Sequence, residues 1–339
     1  MEIEIELKLL TQGDAGALIE THLLPQLAAV CEKREFGLFN SYFDTPERAL
    51  RNMDMGLRIR ARQGEYEQTI KTAGRDVAGL HQRPEYNIAM GHFADEPPEF
   101  PQLSQFPQDI WPVGVNVAQL QQALRCQFST HFYRQVYLLS FADQAQVELV
   151  WDKGEIVAGT QRSPINEIEL ELKRGSIEQI FSLAAHICQI MPVKIGVHSK
   201  AARGYQLMQG QSANSVNQVS LDAEPIWRGD DHKAMLRALE YYLRQWQILY
   251  LNVGNTLSDA QINILDSLLN RLQQLLEAGS HWPVADAFNG FSQAWSELRQ
   301  QASNAAQVQD LSQLALSPQA ISLQLQLMLL CIKAQQSRG

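Results

Sequence analysis

The first 205 residues alternate apolar and charged side chains in short runs that glycine and proline interrupt. Successive side chains on a strand point to opposite faces, so this pattern predicts antiparallel strands with one apolar and one charged face. In the first predicted strand the charged face is formed by Glu2, Glu4, Glu6 and Lys8. Two segments, 14–30 and 176–191, have apolar residues at helical spacing instead, and we expect each to form a helix beside the sheet.

The pattern changes near residue 210. Segment 211–221 has no charged residue and is rich in Ser, Asn and Gln, which is typical of a linker. Beyond it, apolar residues recur three and four positions apart, as in Leu236, Leu239, Leu243, Trp246 and Tyr250. Further helices are predicted after a capping box of Ser258 and Gln261, around 288–298, and over 317–332. We therefore predict an α+β protein with a β domain over 1–210, a linker over 211–224 and a small all-α bundle over 225–336.

Composition excludes several classes of function. The net charge of −9 disfavours a nucleic-acid-binding surface, which needs a basic stripe. No uninterrupted apolar run reaches about 18 residues, and the opening MEIEIELK has acids where a signal peptide has basic residues. We therefore expect a cytoplasmic protein without nucleic-acid or membrane partners. Its four scattered cysteines lack CxxC spacing, which argues against a zinc site or a disulfide framework. No feature predicts an oligomeric state.

Charged faces recur on six predicted strands, with carboxylates on the first and late strands and arginines on the middle ones. A solvated sheet face explains any single strand, but like charges about 7 Å apart on one strand repel without adding stability. The six charged faces taken together are better explained by two opposed walls, one acidic and one basic, around a phosphate chain. Arginine matches phosphate geometry, and carboxylates suit Mg²⁺ or Mn²⁺. We therefore predict a site for a short, metal-chelated phosphate chain, with inorganic triphosphate as the best candidate.

An opening signature and seven further motifs, in order, resemble the CYTH domain, or triphosphate tunnel metalloenzyme, family over residues 2–205. The opening EIELK resembles the ExExK signature of that family, and the other motifs follow it along the chain. They are YFDT (42–45), LRIR (57–60), TIK (69–71), RPE (83–85), FYR (132–134), EIELE (167–171) and SKAARGY (199–205). One such motif is weak evidence because acidic–apolar alternation is common, whereas the ordered set is specific.

The resemblance implies an eight-stranded antiparallel β-barrel, open at both ends, whose charged faces line a tunnel. It implies that phosphates are held by Lys8, Arg58, Arg60, Lys71, Arg83, Arg134, Lys200 and Arg203. It implies metal ligands at Glu4, Glu6, Glu167 and Glu169, with Glu148, Asp152 and Glu171 as further candidates. We expect Glu85 to orient Arg83 or Lys71, and Arg62 and Lys173 to be rim charges. For His81 and His198 we expect hydrogen-bonding or packing roles.

The reaction that these residues favour is attack of water on a terminal phosphorus, assisted by two Mg²⁺ or Mn²⁺ ions. Two other uses of the same tunnel stay open: nucleoside or thiamine triphosphatase, and adenylate cyclase. A non-catalytic polyphosphate-binding protein is a third alternative, but binding alone does not require the metal carboxylates.

The C-terminal helices resemble, in position, the CHAD domain that often follows CYTH. The match is poor because the region has only His232 and His281 and is about half the expected length, so we describe it as a shortened or degenerate CHAD-like region. Its 8 basic and 11 acidic side chains from Asp222 onward argue against polyphosphate binding. We expect the bundle to support the barrel or a subunit contact through its apolar faces.

Overall fold

The computed structural model describes residues 2–93, 98–210, 219, 225–227, 231–254, 256–279, 282–301 and 305–336. Its strands are β1 (Glu2–Thr11), β2 (Ala29–Asp44), β3 (Gly56–Arg62), β4 (Glu65–Lys71), β5 (Arg75–Val77), β6 (Leu80–His92), β7 (Arg125–Phe141), β8 (Gln146–Ala158), β9 (Gln161–Arg174) and β10 (Val193–Ile195). Its helices are α1 (Ala15–Leu18), α2 (Ala49–Asn52), α3 (Val117–Ala123), α4 (Ile177–Ile190), α5 (Lys200–Met208), α6 (His232–Leu251), α7 (Asp259–Ala278), α8 (Ala285–Gln301), α9 (Ala305–Ala315) and α10 (Pro318–Gln336).

The strands form one antiparallel sheet that closes on itself. Its order is β10-β1-β9-β8-β7-β2-β3-β4-β6-β5, and β1 also pairs with β6 from Glu2↔Glu85 to Leu7↔Leu80. That pairing joins eight strands into a ring, while β5 and β10 extend the sheet at one end. The predicted eight-stranded barrel is therefore confirmed. Its charged faces point inward and its apolar faces outward, since Leu7 and Leu9 of β1 are fully buried in the same cluster as Ile180 of α4.

The two helices predicted in the first half have different outcomes. A capping box of Ser176 and Gln179 starts α4 as expected, and the helix ends at Ile190. The helix predicted over 14–30 is shorter: α1 continues as a π-turn and then a 3₁₀-turn that ends at Gln26, and Ala29 already begins β2. Pro25 lies in that last turn and cannot donate the hydrogen bond that continues a helix. From Ala29 onward the chain is a β-strand instead, because β2 pairs with β7.

The second half is a helical bundle, as predicted, with one helix more than the sequence indicated. The predicted capping box of Ser258 and Gln261 starts α7. The additional helix is α9, whose sequence AAQVQDLSQLA has few large apolar side chains to give a helical period. Most of the predicted linker, and His281, lie outside the described residues. The CHAD-like character of the bundle stays a prediction.

The bundle packs directly against the barrel. Helix α10 contacts α4, α6 and β10, and one hydrophobic cluster runs from Leu7 and Ile195 of the sheet to Leu239 and Met328 of the bundle. One stretch, Gln307–Gln335, is long and apolar enough to cross a membrane, and its most apolar window is 56% buried. This is weak evidence for a span because buried core helices of soluble proteins have the same properties.

Candidate active site

A cavity of about 600 Å³ runs inside the barrel and is lined mainly by charged side chains. Most of the residues predicted from the sequence line it: Glu4, Glu6, Lys8, Arg58, Arg60, Lys71, Arg83, Arg134, Glu148, Glu169, Glu171 and Lys200. Its volume lies in the range of small-molecule sites. The strands therefore bring together, in one space, groups that are up to 196 positions apart in the chain, such as Glu4 and Lys200.

Strand order separates the two kinds of charge. The carboxylate-rich strands β1, β9 and β8 are neighbours, and the strands β3, β4 and β6, which carry arginines and lysine, are neighbours on the other side. The division is not complete, because Lys8 lies on β1 and Glu85 on β6. Two opposed walls thus result from pairing charged faces of like sign side by side, which by itself is unfavourable.

Three cations and three carboxylates form a buried ion cluster at one end of the acidic wall: Lys8, Arg134, Lys200, Asp152, Glu167 and Glu169. Arg134 donates two hydrogen bonds to Asp152, each 2.7 Å long, and one of 2.9 Å to Glu169. Lys200 Nζ lies within 2.9 Å of all three carboxylates, and Lys8 Nζ contacts Glu169 and lies 3.2 Å from Glu167. The cluster is therefore compact and nearly balanced in charge.

Charge pairing overcomes burial in this cluster. Burial alone raises the pKa of Glu167, but Lys200 and Lys8 outweigh it and lower that pKa to about 2. Burial also opposes ionisation of Glu169, yet Lys200, Lys8 and Arg134 hold its pKa well below the usual range. Burial favours neutral Lys8, but its carboxylate neighbours raise its pKa well above the ordinary value. All of these groups are consequently charged at neutral pH.

A second group of charges lies across the tunnel. Lys71 contacts Glu4 and lies 3.0 Å from Glu85, and Arg58 donates a 3.3 Å hydrogen bond to Glu85. Burial raises the pKa of Glu85, but Lys71 and Arg58 reverse the shift and lower it to about 2. Burial, together with nearby Glu6, raises the pKa of Glu4 to about 7. Glu85 therefore orients Lys71 as expected, and its other partner is Arg58 rather than Arg83.

Arg60 is a cation without a matching anion. It lies between these groups and donates a 3.0 Å hydrogen bond from Nε to Asn40, which also binds Thr130. Among the described residues it forms no salt bridge. Burial, with repulsion from Arg58 and Arg134, lowers its pKa to about 10. Positive charge that is buried and unbalanced in this way creates a site that favours an anionic ligand.

The acidic wall has the opposite imbalance. Register places Glu6 opposite Glu171, and Glu171 opposite Glu148, so these three form a carboxylate row across β1, β9 and β8. Their cationic partners are distant or exposed: Lys8 lies 4.0 Å from Glu6, Arg34 lies 3.6 Å from Glu148, and Lys173 at the rim binds Glu171. Burial raises the pKa of Glu171, and Glu148 and Glu6 raise it further. Adjacent carboxylates of this kind fit a hard divalent cation.

Asp152, Glu167 and Glu169 also have oxygens within 4.8 Å of one another, which is a spacing that could hold a metal. The buried ion cluster already supplies these oxygens with lysine and arginine partners. Only Glu167 Oε1 lacks hydrogen-bond geometry, although Lys200 Nζ lies 2.6 Å away. The carboxylate row, where charge is poorly compensated, therefore fits a divalent cation better than these three groups.

Three predicted residues do not line the tunnel cavity: Asp152, Glu167 and Arg203. The first two are fully buried behind Lys200. Arg203 donates a 2.9 Å hydrogen bond to Glu167 and another to the Pro164 carbonyl, and it lines a different cavity. These contacts place Arg203 where it holds Glu167 in position. Arg83 lines the tunnel but points to its rim, where it binds Thr72 and Asp54.

Two of the sequence motifs meet in the structure. Asp44 of YFDT is fully buried and accepts hydrogen bonds from the backbone N–H groups of Thr45, Leu50 and Arg51. It also accepts a 2.8 Å hydrogen bond from the hydroxyl of Tyr205, at the end of SKAARGY. The α5 helix that carries Lys200 is thus tied to β2. Arg62 has the expected peripheral position, since it stacks on Phe36 and does not line the tunnel.

Sequence reasoning missed the contribution of the helical bundle. Arg244 of α6 lines the tunnel cavity and lies 3.1 Å from Asp76 of β5. The helical period gave no signal, because Arg244 lies about 100° around the helix from Leu243 and outside the apolar stripe. His81 and His198 also line this end. Burial lowers the pKa of both, that of His198 to about 4 with help from Arg244, so neither is a cation at neutral pH.

Comparison with known proteins gives the family of this chain and a similar enzyme. Residues 2–205 match the CYTH domain family. An inorganic triphosphatase from Haemophilus influenzae is 38% identical over 207 residues, which cover 60% of this chain and 54% of that protein. The chain thus spans about half the length of this relative.

Two solved structures are distantly similar to this chain. A putative adenylyl cyclase from Hippeastrum with a dominant triphosphatase activity is 18% identical, with a TM-score of 0.42, over 64% of this chain and 100% of that one. A putative adenylate cyclase from Bacillus halodurans is 20% identical, with a TM-score of 0.35, over 56% of this chain and 89% of that one.

Proposed function

Because the chain belongs to the CYTH domain family, we propose that it hydrolyses inorganic triphosphate to pyrophosphate and orthophosphate inside the barrel. The inorganic triphosphatase that is 38% identical supports this substrate. The observation that carries the proposal is the pair of opposite charge imbalances in one cavity. Arg60 forms no salt bridge within the described part of the chain, and the carboxylate row has only distant or exposed cationic partners. A phosphate chain bound with divalent cations offsets both.

The cationic wall would bind and orient the phosphate chain. Arg60 is the first contact because it requires no existing salt bridge to break, and Arg58 and Lys71 lie beside it around Glu85. Arg134 presents its remaining N–H groups from the buried ion cluster, and Lys8 and Lys200 add positive charge beside it. Arginines fixed by carboxylates are preorganised, so they stabilise charge in the transition state without reorganising during the reaction.

The carboxylate row of Glu6, Glu171 and Glu148 would hold Mg²⁺ or Mn²⁺. A second ion at Glu4 and Glu169 would displace the lysines that contact them. Such ions, when bound, neutralise phosphate charge and lower the pKa of a coordinated water. The chain supplies no nucleophile in this scheme. A water oxygen forms a bond to the terminal phosphorus, the bridging P–O bond breaks, the electron pair leaves with pyrophosphate, and the released proton passes to bulk water.

Two variants separate the roles of the walls. Glu6→Gln removes a metal ligand, so activity should fall and be partly restored by more Mg²⁺. Arg58→Ala removes a phosphate contact, so kcat/KM should fall at every metal concentration. Neither side chain belongs to the apolar face, so the far-ultraviolet circular dichroism spectra should match that of the parent protein. An unfolded Arg58→Ala protein would show that the charged face is structural instead.

Substrate choice is tested by phosphate release from triphosphate, ATP, thiamine triphosphate and pyrophosphate in parallel. We expect triphosphate to have by far the highest kcat/KM. Equal values for ATP would favour a nucleotide triphosphatase, rapid formation of cyclic AMP would favour a cyclase, and tight binding without turnover would favour a polyphosphate-binding protein.

A further inference from the structure

One end of the tunnel is covered by the helical bundle. Strands β1 and β6 pair as far as Leu7 and Leu80, and beyond that point β1 pairs with β10 instead. The opening between them is covered by the segment that follows β10 and by α6. Gln247 of α6 donates a 2.7 Å hydrogen bond to the Ala78 carbonyl in the β5–β6 turn, which anchors the helix there.

Arg244 is the cation that α6 presents to this end of the tunnel. Its guanidinium lies 3.1 Å from the carboxylate of Asp76 and donates a 3.3 Å hydrogen bond to the Val197 carbonyl, three residues before Lys200. It lines the same cavity as Lys8 and Lys200. Asp76 is the carboxylate that pairs with Arg244, and Glu240, four residues earlier on α6, is a second nearby anion. His81 and His198 also line this end, and both are neutral at neutral pH.

Arg244 is held more loosely than Lys8 and Lys200. The side chains of Arg244 and Asp76 are 27% and 35% exposed, whereas Lys8 and Lys200 are nearly inaccessible and each contacts at least two carboxylates. A pair with this exposure contributes little to stability and is easily broken. A phosphate chain carries more negative charge than one carboxylate and accepts both N–H groups of the guanidinium fork.

We propose that Arg244 leaves Asp76 to bind the end of the phosphate chain, so that the helical bundle completes the substrate site of the barrel. This inference rests on the proposed function, since it takes triphosphate as the ligand. Asp76 then acts as a resting partner that competes with substrate. The bundle contributes one directed cation rather than a polyanion-binding surface, in keeping with its net negative charge.

The test compares four variants of the full chain with the parent protein, using steady-state hydrolysis of triphosphate with Mg²⁺. Arg244→Gln should raise KM about 10-fold or more with a smaller change in kcat, as expected when a charged hydrogen bond to substrate is lost. Arg244→Lys keeps the positive charge but not the two-pronged guanidinium, so its KM should lie between those of the parent protein and of Arg244→Gln. Asp76→Asn, which can still accept from the Gly79 N–H, should lower KM because it removes the charge that competes with substrate for Arg244. Arg237→Gln, on the exposed side of α6 and outside the cavity, should match the parent protein.

A fifth variant, Gln247→Ala, weakens the anchoring of α6 without removing a tunnel group. Because this anchor holds Arg244 at the tunnel, Gln247→Ala should raise KM in the same direction as Arg244→Gln but by less. If Arg244→Gln behaves like Arg237→Gln, the inference is wrong. Calorimetric binding of Mg²⁺-triphosphate to the same proteins separates this outcome from failure of the proposed function. If the parent protein binds Mg²⁺-triphosphate but does not hydrolyse it, the proposed reaction is wrong. Even then, weaker binding by Arg244→Gln than by the parent protein and Arg237→Gln would support the contact between Arg244 and the phosphate chain.

Discussion

Replacement of Glu169 by glutamine tests whether the buried ion cluster stabilises the fold. The Glu169 carboxylate contacts Lys8 and accepts 2.9 Å hydrogen bonds from Lys200 and Arg134. Glutamine keeps the shape of the side chain but removes its charge. The three cations then share only the carboxylates of Asp152 and Glu167, which leaves an uncompensated positive charge in a largely buried site.

The magnitude follows from the geometry of the cluster. Removing one partner of a buried ion pair typically costs about 3–5 kcal/mol, because the other charge is left without compensation. Glu169 borders the tunnel and glutamine still offers one acceptor, so we expect a loss of about 3 kcal/mol in the free energy of unfolding. Cations hold the pKa of Glu169 well below its ordinary value. Its contribution should therefore be complete above about pH 4.5 and decline as the pH falls toward the folded-state value.

Urea unfolding monitored by circular dichroism at pH 7 measures this loss. The matched control is Glu171→Gln, two residues along the same face of β9, where the partner is Lys173 at the rim. This control should leave stability unchanged or slightly increased, because it relieves repulsion from Glu6 and Glu148. Equal stabilities of the two variants at pH 7 would refute the argument that cluster pairing supports the fold.

Three further substitutions test the surroundings of the site. Asp44→Ala leaves three backbone N–H groups and a tyrosine hydroxyl without their acceptor, so urea unfolding should show a loss of about 3 kcal/mol or more. Gly204→Ala should lower the thermal midpoint, although alanine favours helices, because its β-carbon would overlap the ring of Phe128. Burial lowers the pKa of His198 to about 4, so between about pH 6.5 and pH 4 the unfolded chain binds a proton at this residue and the folded chain does not. Stability should therefore decline as the pH falls from about 6.5 to 4, and less steeply in His198→Asn, as urea titrations at several pH values would show.

The barrel and most of its lining were predictable because strand alternation is a local property. Whether Glu6 or Arg58 faces the same side as its neighbours two positions away depends only on the period of the strand. The separation of carboxylate-rich and arginine-rich strands along the chain survives in the fold, since the order β1-β9-β8 and β3-β4-β6 keeps like strands adjacent.

The remaining features depend on packing between distant segments. Nothing in the sequence shows that Arg203 lies behind Glu167 or that Asp152 is sealed off by Lys200, because both follow from how α5 docks on the barrel. Counting charges over the bundle correctly gave a negative balance, but the position of one cation mattered more than the total. Arg244 reaches the tunnel only because α6 packs against the β5–β6 turn.

The most direct test of the central claim is a phosphorus NMR time course of triphosphate with the purified full chain, with Mg²⁺ and then with excess chelator. If a metal-bound triphosphate offsets the opposite charges of the two walls and is cleaved there, equal amounts of pyrophosphate and orthophosphate should form with Mg²⁺. The chelated sample should show almost no cleavage. Cleavage that proceeds equally well under chelation, or triphosphate left intact at every Mg²⁺ or Mn²⁺ concentration, would contradict the account.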